Sequence, residues 1–190
     1  MIALQALPPI PSWTELHPLV IHFPIALLLV APLFIVAGIL MSPSKGRPFL
    51  IAALALMVLG TSGTFLAVAT GEAAGEVAQR TPAVSAVLER HEDLAETARI
   101  VFSVLTLIYA ALLFLPRLLK REATIVSARI LPLAFLLFYS AGAVILTNTA
   151  HNGGRLVHEL GVRAGFAQSN EASFAPTPNT TDVHETKPER

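Results

Sequence analysis

Residues 16–25 read Leu-His-Pro-Leu-Val-Ile-His-Phe-Pro-Ile and continue without a charge into Ala26, Leu27, Leu28, Leu29 and Val30. Two imidazoles, His17 and His22, therefore stand at the mouth of an apolar segment. A titratable group beside hydrocarbon is costly and by default marks a functional site. Imidazole titrates near neutral pH, relays protons, and ligates transition metals and haem iron. The other histidines are His91, His151, His158 and His184. With no cysteine in the sequence, disulfides, zinc thiolate sites, iron–sulfur clusters and covalent c-type haem attachment are excluded, since each needs a thiol. A metal or cofactor must be held here by histidine, carboxylate or neutral oxygen.

The elements that position these side chains follow from composition. The sequence is 54% hydrophobic and 14% charged, against roughly a quarter charged in soluble domains, which is a membrane-protein balance. Formal net charge is zero and there is no lysine-rich run, so nothing points to a nucleic-acid partner or a polybasic grip on anionic lipid.

The pattern predicts an all-α, integral membrane four-helix bundle with both termini outside. Residues 1–15 read as an exposed arm with Pro-rich patches, no positive n-region of a signal peptide, and Trp13 as an interfacial anchor. Residues 16–162 form the transmembrane domain. Residues 18–44 and 48–71 contain no Asp, Glu, Lys or Arg, long enough to cross a hydrocarbon core of roughly 30 Å. Residues 72–96 read as the one sizeable polar loop, with Thr81-Pro82 starting a helix inside it. Val84, Val87, Leu88, His91, Leu94 and Ala98 then recur at helical spacing, leading into a third span over 100–116. The fourth span is 130–150, and 151–158 reads as a helix end or a short interfacial helix. Residues 163–190, which include His184, read as a disordered tail rich in polar and charged residues.

The connections at one end carry Lys45, Arg47, Arg117, Lys120, Arg121 and Arg129, which the positive-inside rule makes cytoplasmic. His17, His22, His91, His151 and His158 then meet at the outer end. By a rise of 1.5 Å per residue, His22 and His151 form an inner level, with His17, His91 and His158 roughly 7 to 10 Å farther out. Counting back from His151 along its helix meets Thr147, Val144 and Ser140, a small, partly polar stripe expected to face the bundle interior.

Three chemistries fit this pattern. A b-type haem is held without thiols by two imidazoles from facing helices; His22 with His151, or His91 with either, supplies such a pair. Gly60, Gly63, Ser140 and Gly142 would make room for the ring, and Arg90, Arg99 or Arg155 would meet its propionates. Alternatively His17, His22, His91, His151 and His158 ligate copper, iron or zinc, with Glu72, Glu76, Glu89, Glu92 or Asp93 adding oxygen ligands. The plain alternative is that the histidines cap helix ends and bind nothing. No nucleophile with a base at readable spacing and no phosphate loop is present, so an electron carrier or a subunit is expected rather than a stand-alone enzyme.

Four motifs carry a family resemblance: Leu-His-Pro-x-x-x-His-Phe-Pro-Ile-Ala at 16–26, Ala-Thr-Gly-x-x-Ala at 69–74, His91-Glu92, and Gly-Gly-x-Leu-Val at 153–157. On these the chain resembles the bacterial membrane proteins of domain-of-unknown-function family 2231 over roughly 16–162. The resemblance implies an aromatic after Leu-Val and a histidine two places later, where this chain has His158 and Leu160. It also implies a multi-pass protein of the bacterial inner membrane with its histidine cluster on the periplasmic side. Some relatives are joined to cytochrome-like modules, which implies a redox setting with a periplasmic cytochrome or redox-complex subunits as partners.

Overall fold

A computed structural model describes residues 11–120, 124 and 126–162. Its helices are α1 (His17–Val20), α2 (His22–Leu40), α3 (Pro43–Glu76), α4 (Pro82–Leu118) and α5 (Leu131–His158). A 3-10 turn, Trp13–Glu15, precedes α1, and a π-helical turn, Val126–Ile130, leads into α5. Proline occupies the first or second position of α1, α3, α4 and α5, where its missing N–H would have no intrahelical partner and its fixed φ suits the helix. Thr81 caps α4 as expected, its Oγ1 accepting from the Val84 N–H at 3.2 Å. Of the expected N-terminal arm, residues 11–15 form the capped turn, with the Ser12 N–H donating to Glu15 Oε2 at 2.8 Å. The expected disordered tail lies outside the described residues.

Four helical stretches are long and apolar enough to cross a membrane: His17–Leu40, Pro43–Glu76, Pro82–Leu118 and Leu131–His158. α2 packs on α3, α3 on α4, α4 on α5 and α5 on α2, an up-down-up-down square. Large apolar side chains line its outside: Leu107 is 72% exposed and Leu137 73%. Facing lipid, they give no drive to associate, so small-residue contacts and interhelical hydrogen bonds must hold the bundle. At one such contact a Cβ on Gly46 would stand 2.1 Å from the Gly38 carbonyl oxygen. Gly60 closes on Leu28 and Gly142 on Leu105, Val101 and Phe102.

The core is built from Leu28, Ile35, Met57, Phe102, Tyr109, Phe135 and Tyr139 among others. Its polar groups are satisfied across helices. Thr61 and Thr106 pair at 2.9 Å, and Tyr109 donates to Leu50 O at 3.2 Å. Pro32, inside α2, has no N–H for the carbonyl four residues earlier, which belongs to Leu28. The Tyr139 hydroxyl donates to that oxygen at 2.6 Å, so α5 satisfies the acceptor that the proline leaves open.

Two expectations are corrected. The polar connection is shorter than 72–96: α4 starts at Pro82 as Thr81-Pro82 indicated, but α3 runs on to Glu76, which leaves only residues 77–81 between the helices. At 1.5 Å per residue α3 and α4 are about 51 and 55 Å long, well beyond a hydrocarbon core of roughly 30 Å, so their polar ends extend the bundle past the bilayer. Residues 151–158, expected as a helix end or a separate interfacial helix, are a continuation of α5 to His158.

Candidate functional site

At the end of the bundle where the domain's two ends meet, His17 and His91 come together. Their ring centroids are 6.3 Å apart and their planes are at 86°. His17 starts α1 and turns its ring onto α3, with Nδ1 3.0 Å from Ala67 O and 3.3 Å from Thr70 Oγ1. His91 projects from α4 onto α5, with Nδ1 2.9 Å from Thr149 O. A carbonyl oxygen only accepts, so Nδ1 carries the proton in both rings, and in the neutral form Nε2 is left with its lone pair free. A backbone carbonyl holding Nδ1–H is also the usual way a protein fixes an imidazole that uses Nε2 as a ligand.

Each ring rests against a glycine. A Cβ on Gly71 would stand 2.9 Å from His17 Cε1, and one on Gly153 would stand 3.0 Å from His91 Cε1. These glycines let helix backbone and ring approach within contact. Gly60, Gly63 and Gly142, expected to make room for a cofactor, are instead filled by Leu28, Pro24 and the side chains of α4.

A cavity of about 710 Å³ opens here, lined by His17, His22, His91 and His158. Glu72, Glu92, Asp93 and Glu96 also line it, and no Lys or Arg does among the described residues. The described lining is therefore mostly apolar, with imidazoles and carboxylates as its ionisable groups. His22 is exposed, with Nδ1 donating to Pro18 O at 2.8 Å. His158 is exposed as well.

His151 is on another face and is not among the lining residues. Ser140, Val144, Thr147 and His151 are all exposed, whereas Phe135, Tyr139, Gly142, Leu146 and Thr149 form the buried stripe of α5. The expected His22–His151 pair is thus not brought together. The misreading has a physical cause: Ser140 and Thr147 donate to their own helix at Leu137 O (2.7 Å) and Ala143 O (2.8 Å), so their polarity is spent locally and does not mark an inward face.

The arginines expected to meet an anionic group are also committed elsewhere. Arg99 pairs with Glu96 and lies 5.2 Å from the Phe65 ring centroid. Arg155 donates to Glu159 at 2.9 Å. Neither lines the cavity, and Arg90 is exposed outside it. Sequence reasoning missed the carbonyl acceptors Ala67 and Thr149 and the ring seats Gly71 and Gly153. The two seats were signalled by the Ala-Thr-Gly and Gly-Gly motifs.

No group of three or more His, Cys, Asp or Glu residues that could hold a metal ion occurs among the described residues. A protein-only site of three or four ligands is therefore not assembled there. Two imidazoles on one metal place their nitrogens about 4 Å apart, at about 2 Å per bond. Ring centres 6.3 Å apart meet that span when the free nitrogens face each other. The spacing of the pair allows two imidazole nitrogens on one metal, whereas the arginines expected beside a haem lie outside the cavity.

Fold and site together define a four-span α-helical membrane protein with a paired-histidine cavity at one end. The model of the family described as "Predicted membrane protein (DUF2231)" matches residues 14–165, and the chain belongs to that family. No curated protein and no solved structure matches it.

Proposed function

We propose that this chain is a membrane electron carrier, or the electron-carrying subunit of a redox complex, holding a b-type haem through His17 and His91. The observation that carries the reading is the pair itself: two imidazoles 6.3 Å apart, each with Nδ1 fixed by a carbonyl, and no third ligand grouped with them among the described residues. A bare metal ion needs three or four protein ligands, whereas a haem, which brings four nitrogens of its own, would be held by no more than two, here His17 and His91. When bound, it supplies reversible one-electron chemistry.

The chain's own residues do the rest. Ala67 O and Thr149 O orient the rings and raise their basicity as ligands. Glu72, Glu92 and Asp93, which line the cavity without a salt-bridge partner among the described residues, would favour the more positive, oxidised state of a bound haem and attract a cationic partner surface. Six Lys or Arg residues at the opposite end make that end cytoplasmic by the positive-inside rule, so the histidine end faces the periplasm of a bacterial inner membrane, within reach of a periplasmic cytochrome.

The test is haem extraction and elemental analysis on one detergent-purified preparation from haem-replete cells. About one haem iron per chain, lost in His17→Ala and in His91→Ala, is the expected result. Iron at that level without porphyrin, or neither, contradicts it.

One observation favours a second reading, a transition-metal binding or transport protein: the cavity is lined by histidines and carboxylates, with no cation among the described lining residues. Stoichiometric copper, zinc or iron without porphyrin in the same analysis would establish that reading instead.

A further inference from the structure

At the end of the bundle opposite the histidines lies a second cavity, of about 280 Å³. Three arginines line it, each from a different segment: Arg47 from the start of α3, Arg117 from the end of α4, and Arg129 from the turn before α5. The described lining residues include no Asp or Glu, and among the described residues none of the three arginines forms a salt bridge. Arg117 is steadied by donating through Nη1 to Leu113 O at 3.1 Å, which leaves its other N–H groups available. All three are exposed, so their charges ring an open mouth.

Below that rim the walls are apolar. Leu50, Leu112, Leu113 and Pro132 line the floor, and the Tyr109 hydroxyl there is already committed to Leu50 O. The close Gly38–Gly46 contact holds α2 and α3 together along one side. A cationic rim over an apolar floor, at the end of a membrane bundle, matches an amphiphile with an anionic head and hydrocarbon tails. Guanidinium is the side chain best suited to phosphate, which it can bond in bidentate fashion. Basic pockets between helices at the cytoplasmic face are known lipid head-group sites.

We propose that this cavity binds the phosphate head group of an anionic phospholipid, with Arg47, Arg117 and Arg129 holding the phosphate and the floor taking the start of the acyl chains. The site is independent of whatever the histidine cavity holds.

Native mass spectrometry of the full chain in detergent tests this directly, with phosphatidylglycerol or phosphatidylcholine titrated in turn. Phosphatidylglycerol should be retained at least about tenfold more tightly than phosphatidylcholine. The Arg47→Gln/Arg117→Gln/Arg129→Gln variant should lose that preference, since a charge-assisted hydrogen bond carries a factor of this order. Lys45→Gln, outside the cavity, should keep it. If the triple variant does not fold, Arg47→Glu alone is read in the same way. Equal retention of the two lipids, or a preference unchanged in the variants, overturns the proposal. A thermal-shift arm separates the sources of phosphate: stabilisation by phosphatidylglycerol and not by millimolar inorganic phosphate is expected, whereas equal stabilisation by the free ion overturns the lipid assignment.

Discussion

Gly153 lies against the ring of His91, where a Cβ would stand 3.0 Å from Cε1 and 3.4 Å from Nδ1, while its neighbour Gly154 has nothing within 4 Å. The two adjacent glycines therefore make opposite predictions. Alanine in a helix is favoured over glycine by about 1 kcal/mol, so Gly154→Ala, although it adds a methyl to the cavity lining, should raise the melting temperature and leave the contact of His91 with Thr149 O intact. Gly153→Ala gains the same propensity but pushes the imidazole away from Thr149 O. It should lower bound cofactor per chain, read from the absorbance of purified protein. Equal cofactor content in the two variants would remove Gly153 from the site.

The Tyr139–Leu28 hydrogen bond gives a cleaner energetic test. Tyr139→Phe strands a buried carbonyl that Pro32 cannot satisfy, and should cost about 1 to 2 kcal/mol. Restoring an N–H with Pro32→Ala should cancel most of that loss, so the double variant melts close to Pro32→Ala alone. A double-mutant cycle by thermal denaturation in detergent measures the coupling. A coupling of zero would mean that the carbonyl has another partner.

Gly46→Ala should be among the most damaging small changes in the bundle. Its Cβ would meet the Gly38 backbone oxygen at 2.1 Å, and a backbone atom cannot swing aside as a side chain can. Separation of α2 from α3 should cost roughly 1 to 3 kcal/mol or more. Gly38→Ala meets the flexible Leu50 side chain first, at 2.6 Å, and should be milder. Comparing the two melting temperatures checks the order.

Glu92 lines the histidine cavity and follows His91 in sequence. In the proposed haem site its negative charge would favour the oxidised centre, so Glu92→Gln should raise the midpoint potential by tens of millivolts. That is the scale of a unit charge about 10 Å away at an effective dielectric near 20. Potentiometric titration of the two proteins reads the shift. An unchanged or lower potential would place the carboxylate out of electrostatic reach.

Much of this architecture was legible in the residues. Charge-free stretches located the four spans, and Thr81-Pro82 marked the start of α4. That His17 and His91 share one end of the bundle followed from counting spans, although the pair expected from depth was His22 with His151, or His91 with either. Four features were not legible, each for a physical reason. Residues 72–76 are helical because a polar helix extending from a packed bundle needs only backbone continuity and good helix formers, which a hydropathy reading takes for a loop. α5 passes through Gly153-Gly154 because its glycine seats an imidazole from another helix, so a tertiary contact outweighs the local tendency of a glycine pair to end a helix. His151 faces outward because Ser140 and Thr147 satisfy themselves on their own helix. The pairing of His17 with Ala67 O and of His91 with Thr149 O lies in backbone acceptors, which no side-chain pattern encodes.

The most direct test is the visible spectrum of the protein purified in mild detergent from haem-replete cells, oxidised and then reduced with dithionite. The account predicts a Soret band and a sharpened α band on reduction. Both should be lost in His17→Ala/His91→Ala and kept in His151→Ala, whose ring lies on the outer face of α5. A wild-type protein with no Soret band, or a double variant whose spectrum matches the wild type, would contradict it and leave the two imidazoles as fasteners between helices.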